Sequence, residues 1–239
     1  MKVPFIILNT RPKNQSHALT LQLQSMGAQI VELPLIEIEP VFFSEIVYKT
    51  DIALFLSANA VNYFCHKATV ECACIIAIGP ATAQALSNHG YENTMSPLHF
   101  SSEGLLEMPA LQEPQHKKIM IISGEDSKAL LPDTLKSRGA CIQKISCYRR
   151  KRVSYKASTL ISALQCGYII VTSSEIFQAL LNLFEAHAAW LKERTLCVIS
   201  DEMKRQVKSL GFRSVIQAKN ATTEAIIEAL VDDNRNKQV

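Results

Sequence analysis

The residues in this chain that could do chemistry are small and neutral. Thr10, Ser57, Gly79 with Thr82, Ser101 with Ser102, Thr172 to Ser174, and Thr222 with Thr223 each fall where a β-rich run hands over to a helical one. In an open parallel sheet that carboxyl-end edge is where ligands bind. The following helices aim backbone N–H groups at the same edge, a setting suited to carboxylates or phosphates. One such hydroxyl alone reads as an ordinary helix cap, worth about 1 kcal/mol. Repetition of the pattern along two facing sheets points instead to an anion-rich ligand held between two domains.

The missing motifs narrow the chemistry. There is no GxGxxG, no GxxxxGK[ST] and no GxSxG, so dinucleotide, nucleotide-phosphate and serine-hydrolase fingerprints are absent. His17, His66, His89, His99, His116 and His187 are scattered without metal-ligand spacing. No acid–base dyad is legible either. Any reaction must rest on binding, orientation and one proton donor.

Bulk properties set outer bounds. A chain of 239 residues permits one large domain or two small ones, and 48% hydrophobic with 20% charged residues is an ordinary globular profile. No apolar run reaches the roughly 20 residues of a membrane span. The opening segment Met1–Thr10 reads as a first β-strand rather than a secretory signal. Seven cysteines without a CxxC pair read as reduced thiols of a cytoplasmic protein. A net charge of +3 suits an anionic ligand and is too weak to argue for nucleic acid. The basic cluster Arg149–Arg152 reads either as a solvated strand end or as an electropositive lip beside an anion site.

The elements that must position these residues alternate in type. Strands are expected at Phe5–Leu8, Gln29–Leu33, Ile52–Leu56, Cys74–Ile78, Lys118–Ile122, Tyr168–Thr172 and Leu196–Ile199. Helices between them show one apolar face (Leu19, Leu23, Met26; Leu131, Leu135; Met203, Val207, Leu210) and close on Gly27, Gly90, Gly139 and Gly211. This is the pattern of βαβ units, hence an α/β fold with parallel sheets flanked by helices. The halves also repeat. DIALFLSANAVNYF at 51–64 returns from Gly167, IIAIGPATAQALSNHGY returns as LCVISDEMKRQVKSLGF, SSEGLLEMP returns as TTEAIIEAL, and residues 5–33 return at 118–145. A duplicated α/β domain follows. A cut near Glu113–Gln115 would give tandem domains; cuts at 35–40 and 146–153 would give one domain inserted in another. Periodicity leaves both open.

Five segments carry a family resemblance: Thr10-Arg11-Pro12, Ser57-Ala58-Asn59-Ala60-Val61, Gly79-Pro80-Ala81-Thr82-Ala83, Ser101-Ser102-Glu103-Gly104-Leu105-Leu106, and the strand ending Tyr148-Arg149. In this order and spacing the chain resembles the uroporphyrinogen-III synthase family. The resemblance implies two similar flavodoxin-like or Rossmann-like domains, 1–36 with 152–239 and 40–146, joined by linker strands 35–40 and 146–152. It implies a cofactor-independent, cyclising hydro-lyase: hydroxymethylbilane loses its hydroxyl as water, and ring D is inverted through a spiro intermediate as the macrocycle closes. No metal, nucleic acid or membrane is expected. The partner is the polycarboxylate substrate itself, with a transient contact to hydroxymethylbilane synthase, and the chain is expected to be monomeric. Tyr148 matches the family's candidate acid, with an inter-domain packing aromatic as the alternative. Thr10, Arg11, Ser57, Asn59, Ala60, Thr82, Ser101, Ser102, Glu103, Gly104, Ser173 and Ser174 match substrate contacts. Two segments depart from the family pattern. Ser123–Lys128 lacks the usual arginine, for which Lys128 could substitute as a point charge. Ser200–Met203 carries two acids and is expected to turn outward.

Overall fold

The computed structural model describes residues 5–44 and 46–236; Met1–Pro4 of the opening segment lie outside them. The chain begins β1 (Ile6–Asn9), α1 (Lys13–Ser25), β2 (Gln29–Glu32) and β3 (Ile36–Pro40). It continues through β4 (Val47–Lys49), β5 (Ile52–Phe55), α2 (Ala58–Cys65), β6 (Thr69–Glu71), β7 (Cys74–Ala77), α3 (Pro80–Asn88) and β8 (Thr94–Met95). Next come α4 (Ser102–Leu106), α5 (Pro109–Gln112), β9 (Lys118–Gly124), α6 (Leu130–Ser137) and the long β10 (Cys141–Arg152). The last part holds α7 (Ala157–Ala163), β11 (Tyr168–Ile170), α8 (Ser174–Leu183), α9 (Ala188–Lys192), β12 (Thr195–Val198), α10 (Asp201–Ser209), β13 (Ser214–Gln217) and α11 (Thr223–Asn236).

Two compact units result, one built from the chain up to Glu37 and from Lys151 onward, the other from Ile38–Arg150. The first has the sheet order β2-β1-β11-β12-β13, every pairing parallel. The second has β10-β9-β5-β7-β8, again parallel, with β3 added beyond β10. If the repeated segments are matched, β9 and β10 stand for β1 and β2, while β5, β7 and β8 stand for β11, β12 and β13. Both units therefore build one sheet, the flavodoxin-like order 2-1-3-4-5, entered at different points of the repeat.

Each sheet is covered on both faces, and its central strands β5, β11 and β12 are buried at every position, as the inner strands of a parallel sheet must be. In the first unit Leu8, Ile169 and Val198 face α8 and α10, while Ile7, Ile170 and Cys197 face α1 and α11. In the second, Phe55, Ala77 and Ile122 meet Phe64 and Leu86; Leu54, Ile76 and Ile121 meet Leu105, Leu131 and Leu135. The repeat also fixes how helices stop. Gly27, Gly90, Gly139 and Gly211 all take φ near +86° or +85°, the left-handed region. At three of them the closing pair is complete: Gly27 and Ala28 bond back to Gln24 and Leu23, Gly90 and Tyr91 to Ser87 and Leu86, Gly139 and Ala140 to Lys136 and Leu135.

Two expected core residues are not core. Met26 is 56% and Leu210 42% exposed, because each sits at the C-cap just before the left-handed glycine, where the chain leaves the helix face. The strand expected to end in Tyr148-Arg149 and the linker strand expected at 146–152 are one element, β10.

Candidate functional site

The second unit carries a cavity of about 260 Å³. Leu56 and Ser57 follow β5, Ile78 follows β7, Ser123 and Gly124 end β9, and Glu125–Lys128 follow it. Ser102, Tyr148 and Arg150 complete its lining. β5 and β9 are the pair at which the sheet order reverses, so the cavity lies at the switch point, at the carboxyl ends of the strands.

Tyr148 reaches this place through an irregularity in its strand. The pairing of β10 with β9 shifts between Ser146 and Tyr148, leaving Cys147 as the extra residue. The bulge puts two consecutive side chains, Cys147 and Tyr148, into the core. Cys147 Sγ donates weakly to the Ala60 and Ser123 carbonyls, and burial pushes its thiol up to about 12. The Tyr148 ring stacks on Tyr63 with centroids 5.9 Å apart and is only 4% exposed. Its Oη lies 3.1 Å from Ser57 Oγ, which itself accepts the Ala60 N–H at 3.0 Å as the cap of α2. The Arg150 guanidinium stands 5.8 Å from the ring centroid, two residues along the same face of β10. Arg149, on the other face, pairs with Glu39 at 2.9 Å. The basic cluster thus divides, one arginine at the cavity and one in a surface ion pair.

The hydroxyls singled out from the sequence are largely helix caps. Ser57, Ser101, Ser173 and Ser200 accept the N–H of Ala60, Gly104, Ile176 and Met203, and Thr222 accepts that of Ala225. Ser57, Ser102 and Tyr148 are brought together at the cavity; Asn59, Ala60, Thr82, Ser101, Glu103 and Gly104 stay outside its lining. Glu103 turns back on its own helix. Its backbone N–H and then the Ser101 hydroxyl, helped by Lys128, hold its carboxyl below the usual range. Gly104 is needed for packing, since a β-carbon there would fall 2.0 Å from the His99 carbonyl oxygen. Asp201 and Glu202 are exposed in the first turn of α10.

In the first unit, Thr10, Arg11, Ser173 and Ser174 occupy the corresponding edge. The Thr10 hydroxyl donates to the Ile170 carbonyl across the β1–β11 switch point. Arg11 is 7% exposed; its Nη2 donates to the Ala221 carbonyl at 3.2 Å, while Nε and Nη1 are buried without a partner. Burial pulls its guanidinium below the ordinary arginine value. A buried charge with open donors is costly unless an anion meets it. Sequence reasoning did not find Ser123, Gly124 and Ser127, and reached Arg150 only through one of its two readings of the basic cluster. Only the family departure at Ser123–Lys128 drew attention to that loop. All six histidines are exposed, and no group of metal-ligating side chains occurs among the described residues. No described helix is long and apolar enough to cross a membrane.

The uroporphyrinogen-III synthase HemD family matches residues 17–228. The chain belongs to that family. Among its members, the uroporphyrinogen-III synthase of Escherichia coli K12 is 29% identical over 94% of this chain and 99% of its own length. The Salmonella typhimurium enzyme of the same name is 30% identical with the same coverage. Among solved structures, uroporphyrinogen-III synthetase from Helicobacter pylori superposes with a TM-score of 0.62 over 95% of this chain and 98% of its own, at 16% identity. A uroporphyrinogen III synthase from Thermus thermophilus gives 0.61 over 98% of each, at 14% identity. These two likenesses establish the two-domain α/β fold. The sequence matches establish that this is an enzyme of tetrapyrrole synthesis.

Proposed function

We propose that this member of the uroporphyrinogen-III synthase family converts hydroxymethylbilane to uroporphyrinogen III as a cofactor-independent hydro-lyase, with Tyr148 as its acid. The observation that carries the reading is the phenol of Tyr148 seated against Ser57 at the switch-point cavity. A proton from this pair lets the substrate's hydroxyl leave as water. The cation left on ring A is then attacked by the substituted α-carbon of ring D. The spiro intermediate opens and recloses with ring D inverted, and ring closure releases the proton that restores the acid.

The rest is orientation. Closure in solution gives the non-inverted isomer, so the protein must hold a geometry that free substrate avoids, an effect worth up to roughly 7–11 kcal/mol in ideal cases. The cavity is smaller than the roughly 300–1,000 Å³ of sites that enclose a drug-sized ligand. It suits one pyrrole ring, with Lys128 and Arg150 as cations for a carboxylate arm, Glu125 and Asp126 as acids in the same lining, and four serine hydroxyls at hand. Arg11, which matches a substrate contact of the family, is the first unit's buried cation, and a carboxylate brought to it would meet two donors now open. The seven free cysteines suit a reducing cytoplasm. The chain works as a monomer, for which light scattering should give a mass near 26.6 kDa.

The decisive experiment supplies hydroxymethylbilane made in place from porphobilinogen and its deaminase, then separates the oxidised porphyrin isomers. A switch from isomer I to isomer III supports the proposal. Isomer I alone, from a folded sample, would leave a two-domain protein that binds an anionic metabolite without turning it over.

A further inference from the structure

The hydrogen bond between Tyr148 and Ser57 has a direction that chemistry decides. A hydroxyl has one proton to give and two lone pairs to accept with. Ser57 Oγ already accepts the Ala60 N–H, which leaves one lone pair and its own proton. Tyr148 Oη has Ser57 Oγ as its hydrogen-bond partner at 3.1 Å. A phenol is a far stronger acid than an aliphatic alcohol, so the phenol donates and the serine accepts. The serine then has both lone pairs engaged, and its proton is the one left to point into the cavity. Exposure agrees: Tyr148 is 4% exposed, roofed by Gly124 and Tyr63, while Ser57 is only half-buried and lines the cavity.

We infer that Ser57 is a catalytic relay, passing the proton of Tyr148 to the leaving hydroxyl. The inference rests on Tyr148 being the acid of the proposed reaction. In the step, the Ser57 O–H proton moves to the hydroxyl oxygen of the substrate as the Tyr148 proton moves to Ser57 Oγ. The C–O bond breaks with its electron pair on the departing water, and the pyrrole nitrogen's electrons fill the vacancy. Ser57 ends neutral and Tyr148 ends as a phenolate beneath the Arg150 guanidinium, which is placed to stabilise it. The proton expelled at ring closure returns by the same path, so the cycle balances.

The test compares Ser57→Ala, Ser57→Asn, Ser57→Thr, Tyr148→Phe and the Ser57→Ala/Tyr148→Phe double variant, by turnover and KM for isomer III. Asparagine caps a helix as well as serine, so Ser57→Asn removes the hydroxyl while keeping α2 capped. A relay predicts that Ser57→Ala, Ser57→Asn and Tyr148→Phe each lower turnover by a similar factor, about 100-fold, with little change in KM. The double variant should be no slower than either single one, because the residues act as a unit. Ser57→Thr should restore most of the rate. An active Ser57→Asn would reduce Ser57 to a cap and overturn the relay. Losses that multiply in the double variant would overturn it too, showing that each residue acts separately. Full turnover in Tyr148→Phe would remove the acid itself, a different failure that the tyrosine variant alone reveals.

Discussion

A β-carbon built on Gly124 would stand 2.8 Å from Cζ and 3.1 Å from Oη of Tyr148. The glycine is there for close approach: its bare Cα lies against the phenol, whose ring also stacks on Tyr63. Gly124→Ala should push the ring off both Tyr63 and Ser57. We expect isomer III production to fall by about 10- to 100-fold, the scale of a catalytic group misplaced by about an ångström, and isomer I to rise as substrate closes unaided. Stability should drop by no more than about 1–2 kcal/mol. Unchanged isomer ratios would show that the position of the phenol does not govern the reaction.

Arg11 should trade stability for binding. Replacing it with methionine removes a buried charge and its two open donors, and an apolar group of similar volume is often better tolerated there. Arg11→Met is expected to stabilise the first unit by about 1–2 kcal/mol in chemical denaturation while raising KM. A fall in stability would mean that the bond to the Ala221 carbonyl outweighs the desolvation it demands.

Two glycines should differ sharply as alanine. Gly90 has φ +86° with nothing within 4 Å of the added carbon, so Gly90→Ala should cost only the backbone term, about 1–2 kcal/mol. At Gly104 the added carbon meets a backbone carbonyl that cannot swing away. Gly104→Ala should cost more than about 3 kcal/mol and loosen α4 from the second unit. Equal denaturation midpoints for the two variants would contradict this.

Alkaline stability should depend on Tyr168. Burial, and then Asp233 accepting its hydroxyl at 2.9 Å, raise its phenol above the ordinary value. A raised value in the folded state means that the contribution is complete below the ordinary phenol range near pH 10. It fades as pH climbs from there towards the folded value. Tyr168→Phe should therefore show a shallower loss of stability above pH 10 than the parent chain, measured by denaturant titration at successive pH. Parallel curves would show that the phenol does not drive the alkaline loss.

How much of this was legible beforehand depended on whether a feature is local. The helix-ending glycines and serine caps were visible because each answers a demand within four residues: a left-handed turn at Gly27 or an orphan N–H beside Ser173. The repeat was legible because whole segments recur in order, the glycines and caps among them. The bulge at Cys147 was not visible, since β10 satisfies it through partners 24 and 87 positions away, Ser123 and Ala60. The cavity wall at Ser123–Lys128 was noticed only as a departure from the family, because nothing in its composition says that Tyr148 will face it. Met26 and Leu210 misled for a related reason: helical spacing continued past the residue where the chain turned.

The displaced starting point of the repeat also dictates an order of assembly. Ile38–Arg150 holds every pairing partner of β5, β7, β8 and β9 and can settle as soon as it leaves the ribosome. The first strand of the chain cannot. Thr10 waits for the Ile170 carbonyl 160 residues downstream, roughly 8–30 s at typical synthesis rates. Until then β1, α1 and β2 are an apolar overhang on a nascent chain whose middle is already folded. What shields those residues during translation should therefore bear on cellular yield alongside the stability of the finished protein.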